Sequence, residues 1–119
     1  MKLNLNLEID FDDKWVEYFE SAIFERGYID YWGNPFREKG EIVVYEFGDD
    51  PDGPPKSGTR LVLPKDWIAQ GLKYLAERKD EDGHAKPYYR LHELLRGDYD
   101  AESLDVLVQA AIFKDLVYG

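Results

Sequence analysis

The side chains that could do chemistry in this sequence are mostly carboxylates and large aromatics. Asp10, Asp12 and Asp13 form one acidic run, followed by Glu17 and Glu20, and Asp49, Asp50 and Asp52 form a second just before Gly53. The second run has a superficial likeness to a calcium loop. Such a loop needs oxygen ligands at alternating positions and a distant Glu, and here Pro51, Pro54 and Pro55 interrupt. It therefore reads as a solvated acidic loop, and no metal site or cofactor is expected. The eight acids read instead as a surface for a basic protein partner.

A second set of residues points to a different chemistry. Arg26 is followed by Gly27, Tyr28, Ile29, Asp30, Tyr31 and Trp32. Large aromatics beside Arg can stack a planar ligand and hold an anionic group. Arg37 and Arg60 would add charge if the neighbouring strands pair with this one. Packing of Tyr28, Tyr31 and Trp32 against Trp15 and Phe19 would explain the same residues without any ligand.

Other chemistries find little support. No Cys is present, which excludes thiolate catalysis, disulfides and Cys-ligated zinc. Ser21, Ser57, Ser103 and Thr59 lie outside any nucleophile-elbow pattern. His84 falls in a polar stretch and His92 beside Glu93, both positions typical of solvated imidazoles. No phosphate loop or dinucleotide fingerprint occurs. An enzyme is not expected.

The elements that must position these side chains can be read from periodicity. Leu3, Leu5, Leu7 and Ile9 alternate with polar residues, as in a half-buried strand. Asp10, Asp12 and Asp13 offer N-caps for a helix to about Arg26, with Trp15, Phe19, Ala22, Ile23 and Arg26 on one face and Gly27 ending it. Residues 28–32, 41–47 and 59–63 read as three strands, the first broken by Gly33, Asn34 and Pro35. Pro64 and Asp66 open a helix with Ile68, Leu72, Leu75 and Lys79 on its face. Gly71 inside it costs about 1 kcal/mol relative to Ala, so a close neighbour is expected there. Pro87 opens a short helix that Gly97 stops. Asp100 caps a last helix from Ala101 to Val117.

That last helix is apolar on most of its circumference, so it must be covered on more than one side. It is either the centre of the fold or the seam of a homodimer, with Val106, Ala110, Phe113 and Val117 left for a second copy. The small sheet and short helices favour the homodimer. The order of elements gives an α+β fold: a small antiparallel sheet with helices packed mainly on one face and the C-terminal helix central.

Size and charge bound the rest. The 119 residues suit a single domain, 1–119. The net charge is −10, and residues 1–60 hold 14 of the 25 acids against 7 of the 15 bases. This charge repels nucleic acid and anionic membranes, and attracts basic surfaces, including those built to hold nucleic acid. No segment is long and apolar enough to cross a membrane, and no secretion signal is visible, so a cytoplasmic protein is expected.

Several segments together carry a resemblance. They are Arg26-Gly27-Tyr28 leading to Tyr31-Trp32, the Val43–Glu46 strand, Ile68-Ala69-Gln70-Gly71-Leu72, Asp100-Ala101, the run from Asp105 to Phe113, and Leu116-Val117-Tyr118-Gly119. Over residues 22–119 the set is similar to small bacteriophage proteins, notably of actinobacterial phages, that have no assigned function. The sequence departs at Lys114-Asp115, where the resemblance leads one to expect Gly-Glu. A fainter similarity to the ArdB/KlcA antirestriction proteins carries no site across. By analogy, the resemblance implies a phage protein that binds and blocks a host defence component without catalysis. The alternative it leaves is an oligomeric sponge that holds a nucleotide-like immune signal on Arg26, Tyr28, Tyr31, Trp32, Arg37 and Arg60.

Overall fold

A computed structural model describes residues 2–4, 8–10, 13–47 and 53–118. The element order is β1 (Lys2–Asn4), β2 (Glu8–Asp10), α1 (Asp13–Ala22), β3 (Gly33–Glu38), β4 (Glu41–Glu46), β5 (Thr59–Val62), α2 (Trp67–Glu77), α3 (Leu91–Leu95) and α4 (Ala101–Phe113). The fold is α+β, with an antiparallel meander β3-β4-β5 and a separate two-stranded ribbon β1-β2.

The N-terminal segment differs from the expected single strand. β1 and β2 pair antiparallel, with Leu3 opposite Ile9, so the chain reverses inside the alternating run. Alternation by itself does not distinguish one strand from two that pair with each other.

α1 stops at Ala22 rather than Arg26. The N–H groups of Phe24 and Glu25 donate three residues back, to Ser21 and Ala22, which tightens the last turn. That turn also has no basic residue to complement its carbonyls. Arg26 is exposed in the connection that follows.

Residues 28–32 form turns, not a strand. The N–H groups of Trp32 and Gly33 both donate to the Ile29 carbonyl, at 3.0 and 3.1 Å, and Asp30 accepts from the Gly27 N–H at 2.9 Å. A local carboxylate acceptor competes with strand pairing. The first strand of the meander begins instead at Gly33, where a break was expected. Pro35 is tolerated because β3 lies at the edge of the sheet. β3 and β4 are joined through Lys39 (φ 52°) and Gly40 (φ 79°), two positive φ values in succession as in a type I′ turn.

Register fixes which side chains share a face. Ile42 and Val44 of β4 face the main core with Leu61 and Leu63, while Val43 and Tyr45 lie on the opposite face and are buried there. α4 lies across the core. Leu104, Leu107, Val108 and Ala110 are fully buried, and α2 packs along it. A Cβ built on Gly71 of α2 would fall 2.7 Å from Leu107 Cδ1 and 2.8 Å from the Leu107 carbonyl oxygen, so the expected close neighbour is α4 itself.

α4 is sandwiched within the chain. Ala110 is fully buried, and Phe113, half-buried, packs on Trp32 and Tyr118. Two of the residues expected at a homodimer seam are thus engaged by the chain's own elements, while Val117 is 53% exposed. Asp100 caps the helix as expected: the Ser103 N–H donates to Asp100 Oδ1 and the Asp100 N–H to Ser103 Oγ, each at 2.9 Å. The helix ends at Phe113 rather than Val117. Lys114 turns the backbone into the left-handed region (φ 53°), a conformation that Gly adopts at least cost.

Candidate functional site

The expected acidic surface is only partly within view. Asp12, Asp49, Asp50 and Asp52 lie outside the described residues. Asp10 ends β2 and Asp13 opens α1. Positions 13, 17 and 20 follow one another at spacings of four and three, so they share one side of α1. Glu17 is exposed, and Glu20 is half-buried with Arg37 3.9 Å away. Like charges at this spacing repel by about 0.2–0.5 kcal/mol per pair. α1 carries Glu17 and Glu20 together on one side, while its other side buries Phe19 and Ala22.

Several cations elsewhere are held by the chain's own carboxylates. Lys56 and Arg60 reach Glu38 at 3.0 and 3.3 Å, and Tyr45 Oη donates to the same carboxylate at 2.7 Å. These donors lower the Glu38 pKa from its ordinary 4.5 to about 2, the Tyr45 hydrogen bond most of all. Arg90 pairs with Asp100 and Glu93, both at 2.6 Å. Arg96 lies 3.4 Å from Asp98.

The six residues of the aromatic and arginine set do not converge. Arg37 sits opposite Ile42 and Arg60 opposite Tyr45. Ile42 and Tyr45 are on opposite faces of β4, so the two arginines are on opposite faces of the sheet. Tyr28 is half-buried beside Tyr99. Trp32 is only 2% exposed and is covered by Tyr118, whose ring lies parallel to it at 5.3 Å. Trp32 packs in the core, where its ring lies against Phe113 and Tyr118 of the C-terminal segment.

The structure adds a buried polar network that sequence reasoning missed. Asp105, on α4, is 8% exposed. Its carboxylate accepts from Trp32 Nε1 at 2.7 Å, from Gln109 Nε2 at 2.9 Å, and from the Tyr31 hydroxyl in a short hydrogen bond. Burial first, and the Asp105 carboxylate second, push the Tyr31 pKa well above its ordinary value. Gln109 Oε1 in turn accepts from the N–H groups of Val117 and Tyr118, both at 2.8 Å. The Tyr118 hydroxyl donates to Glu46 in another short hydrogen bond, which with burial raises the Tyr118 pKa to about 12. The available signal was Asp105 and Gln109 four apart within an otherwise apolar helix. Polar residues there need partners, and the nearest unassigned donors were the aromatics at 31 and 32.

A cleft of about 220 Å³ opens where the end of α1, the β3–β4 hairpin and the start of α2 meet. Glu20, Arg37, Glu41 and Lys65 stand around it, over Leu63 and Trp67. Asp80, Asp82 and His84 bring one potential metal-ligand atom each within 4.8 Å of one another. That arrangement is a local turn: Asp80 Oδ1 already accepts the N–H groups of Asp82 and His84 at 2.9 Å.

No family model, no curated protein and no solved structure matches this chain.

Proposed function

We propose that this chain is a non-catalytic binding protein whose acidic surface engages a basic surface on another protein. The observation that carries this reading is the division of charge. Asp13 opens α1 and Glu17 is exposed one turn on, while Arg37, Lys56, Arg60, Arg90 and Arg96 each lie within ion-pair distance of a carboxylate of this chain. With a net charge of −10, the molecule presents a negative field that speeds and orients encounter with a basic partner. The resemblance to small phage proteins supplies the biological side of the proposal. The partner is a component of a bacterial defence system, of the kind whose basic surface holds nucleic acid, and binding takes place in the host cytoplasm.

The test is a measurement of binding to a captured host protein as salt and competitor are varied. Affinity is expected to fall steeply between about 50 and 200 mM salt, and duplex DNA is expected to compete. Charge reversal at Asp13→Lys and Glu17→Lys, two positions on α1, should abolish capture with the circular dichroism spectrum unchanged. Binding that is indifferent to salt and to both substitutions would remove the reading.

A further inference from the structure

The cleft between α1, the β3–β4 hairpin and α2 shares only Glu20 with the acidic-surface reading. We propose that it is a binding site for a small zwitterion, an apolar α-amino acid or a ligand with the same paired carboxylate and ammonium groups.

Three observations converge on this class. The first is a buried donor without a partner. Trp67 is 2% exposed, lines the cleft, and its Nε1 has no acceptor among the described residues. A buried N–H left unpaired is destabilising, and an acceptor supplied by a ligand would offset that. The second is the start of α2. Asp66, its N-cap residue, makes no capping hydrogen bond, and its Oδ1 accepts from Gln70 Nε2 at 2.7 Å. The Trp67 backbone N–H donates to the Pro64 carbonyl at 3.0 Å, and the remaining first-turn N–H groups add positive potential beside Lys65. The third is the balance of charge. Arg37 and Lys65 bring two cations, Glu20 and Glu41 two carboxylates, and Ile42, Leu63 and Pro64 an apolar floor.

These features select among ligands. A phosphate would meet two carboxylates in a molecule already carrying −10. A simple cation would leave Lys65 and the Trp67 N–H unanswered and would compete with Arg37 for Glu20. A dipolar molecule answers both signs at once, with its carboxylate toward Arg37, Lys65 and Trp67 and its ammonium toward Glu20 and Glu41. The volume of about 220 Å³ is below the range of drug-sized pockets, about 300–1,000 Å³, and suits a ligand of amino-acid size.

The experiment follows the indole N–H resonance of Trp67, assigned by its loss in Trp67→Phe, during titration of the intact protein with leucine. A saturable shift of that resonance is expected, with the Trp32 indole signal unmoved. N-acetylleucine, leucine methyl ester and inorganic phosphate should each bind at least about tenfold more weakly, since each lacks one of the two charges or the apolar body. Arg37→Gln and Glu41→Gln alter exposed side chains and should keep the Trp32 signal while weakening leucine by a similar factor. The proposal is overturned by the absence of a saturable shift, by equal binding of phosphate or either blocked leucine, or by unchanged affinity in both variants.

Discussion

Glu38 shows how one side chain can organise a surface. It gathers Lys56, Arg60 and the Tyr45 hydroxyl on the outward face of the sheet, and Lys56 lies 4.9 Å from the centre of the Phe36 ring. Its folded pKa, about 2, is below the ordinary 4.5. A carboxylate with a depressed pKa contributes stability that is present above its unfolded value and is lost as the pH falls through its folded value. Between pH 4.5 and about 2, acid should therefore weaken the fold partly through this residue. Thermal melts of the wild type and Glu38→Gln should differ near neutral pH and converge as that window is crossed. A constant difference in melting temperature down to pH 2 would rule out this linkage. None of this was legible in the sequence, where Glu38 falls between two expected strands and no element is assigned to it. The pairing of Lys39 with Gly40 was the only local sign of a tight hairpin, and Lys is an uncommon residue at a positive φ.

At the scale of elements, apolar periodicity was a sound guide and boundaries were less so. Ile68, Leu72 and Leu75 were read on one face of α2, and all three are buried. Asp100 was read as the cap of α4 and makes the cap. Errors arose where tertiary partners override local preference. Tyr28 to Trp32 has strand-forming residues but is held in turns, because Trp32 is drawn to Asp105, 73 residues away. The α2–α4 contact offers a direct test of packing. Gly71→Ala would gain about 1 kcal/mol in intrinsic helix preference. The added methyl would collide with the Leu107 backbone, and overpacking costs about 1–3 kcal/mol or more. A net loss of stability is expected in chemical denaturation, with a lower midpoint and an unchanged slope. A stabilised Gly71→Ala variant would mean the two helices are farther apart than described.

Over the whole molecule, the Asp105 network joins three regions distant in sequence: the turn at Tyr31 and Trp32, the centre of α4, and the tail at Val117 and Tyr118. Asp105→Ala would leave the Trp32 and Gln109 donors unanswered in a buried setting, at a cost of about 3–5 kcal/mol. Asp105→Asn should cost far less, about 1 kcal/mol, because its amide oxygen still accepts from Trp32 and the Tyr31 hydroxyl can turn to accept from the amide nitrogen. Urea titrations followed by tryptophan fluorescence will order the two variants, and equal losses would show that the carboxylate acts through its charge. The same arrangement bears on how the protein is made. The meander and α2 leave the ribosome before α4, against which α2 packs in the finished core. Until α4 emerges, the nascent chain displays the apolar face of α2 around Gly71 without its cover. Its folding is therefore a late event, completed when residues 101–118 are free to dock, and the growing chain depends on its dense negative charge to stay dispersed until then.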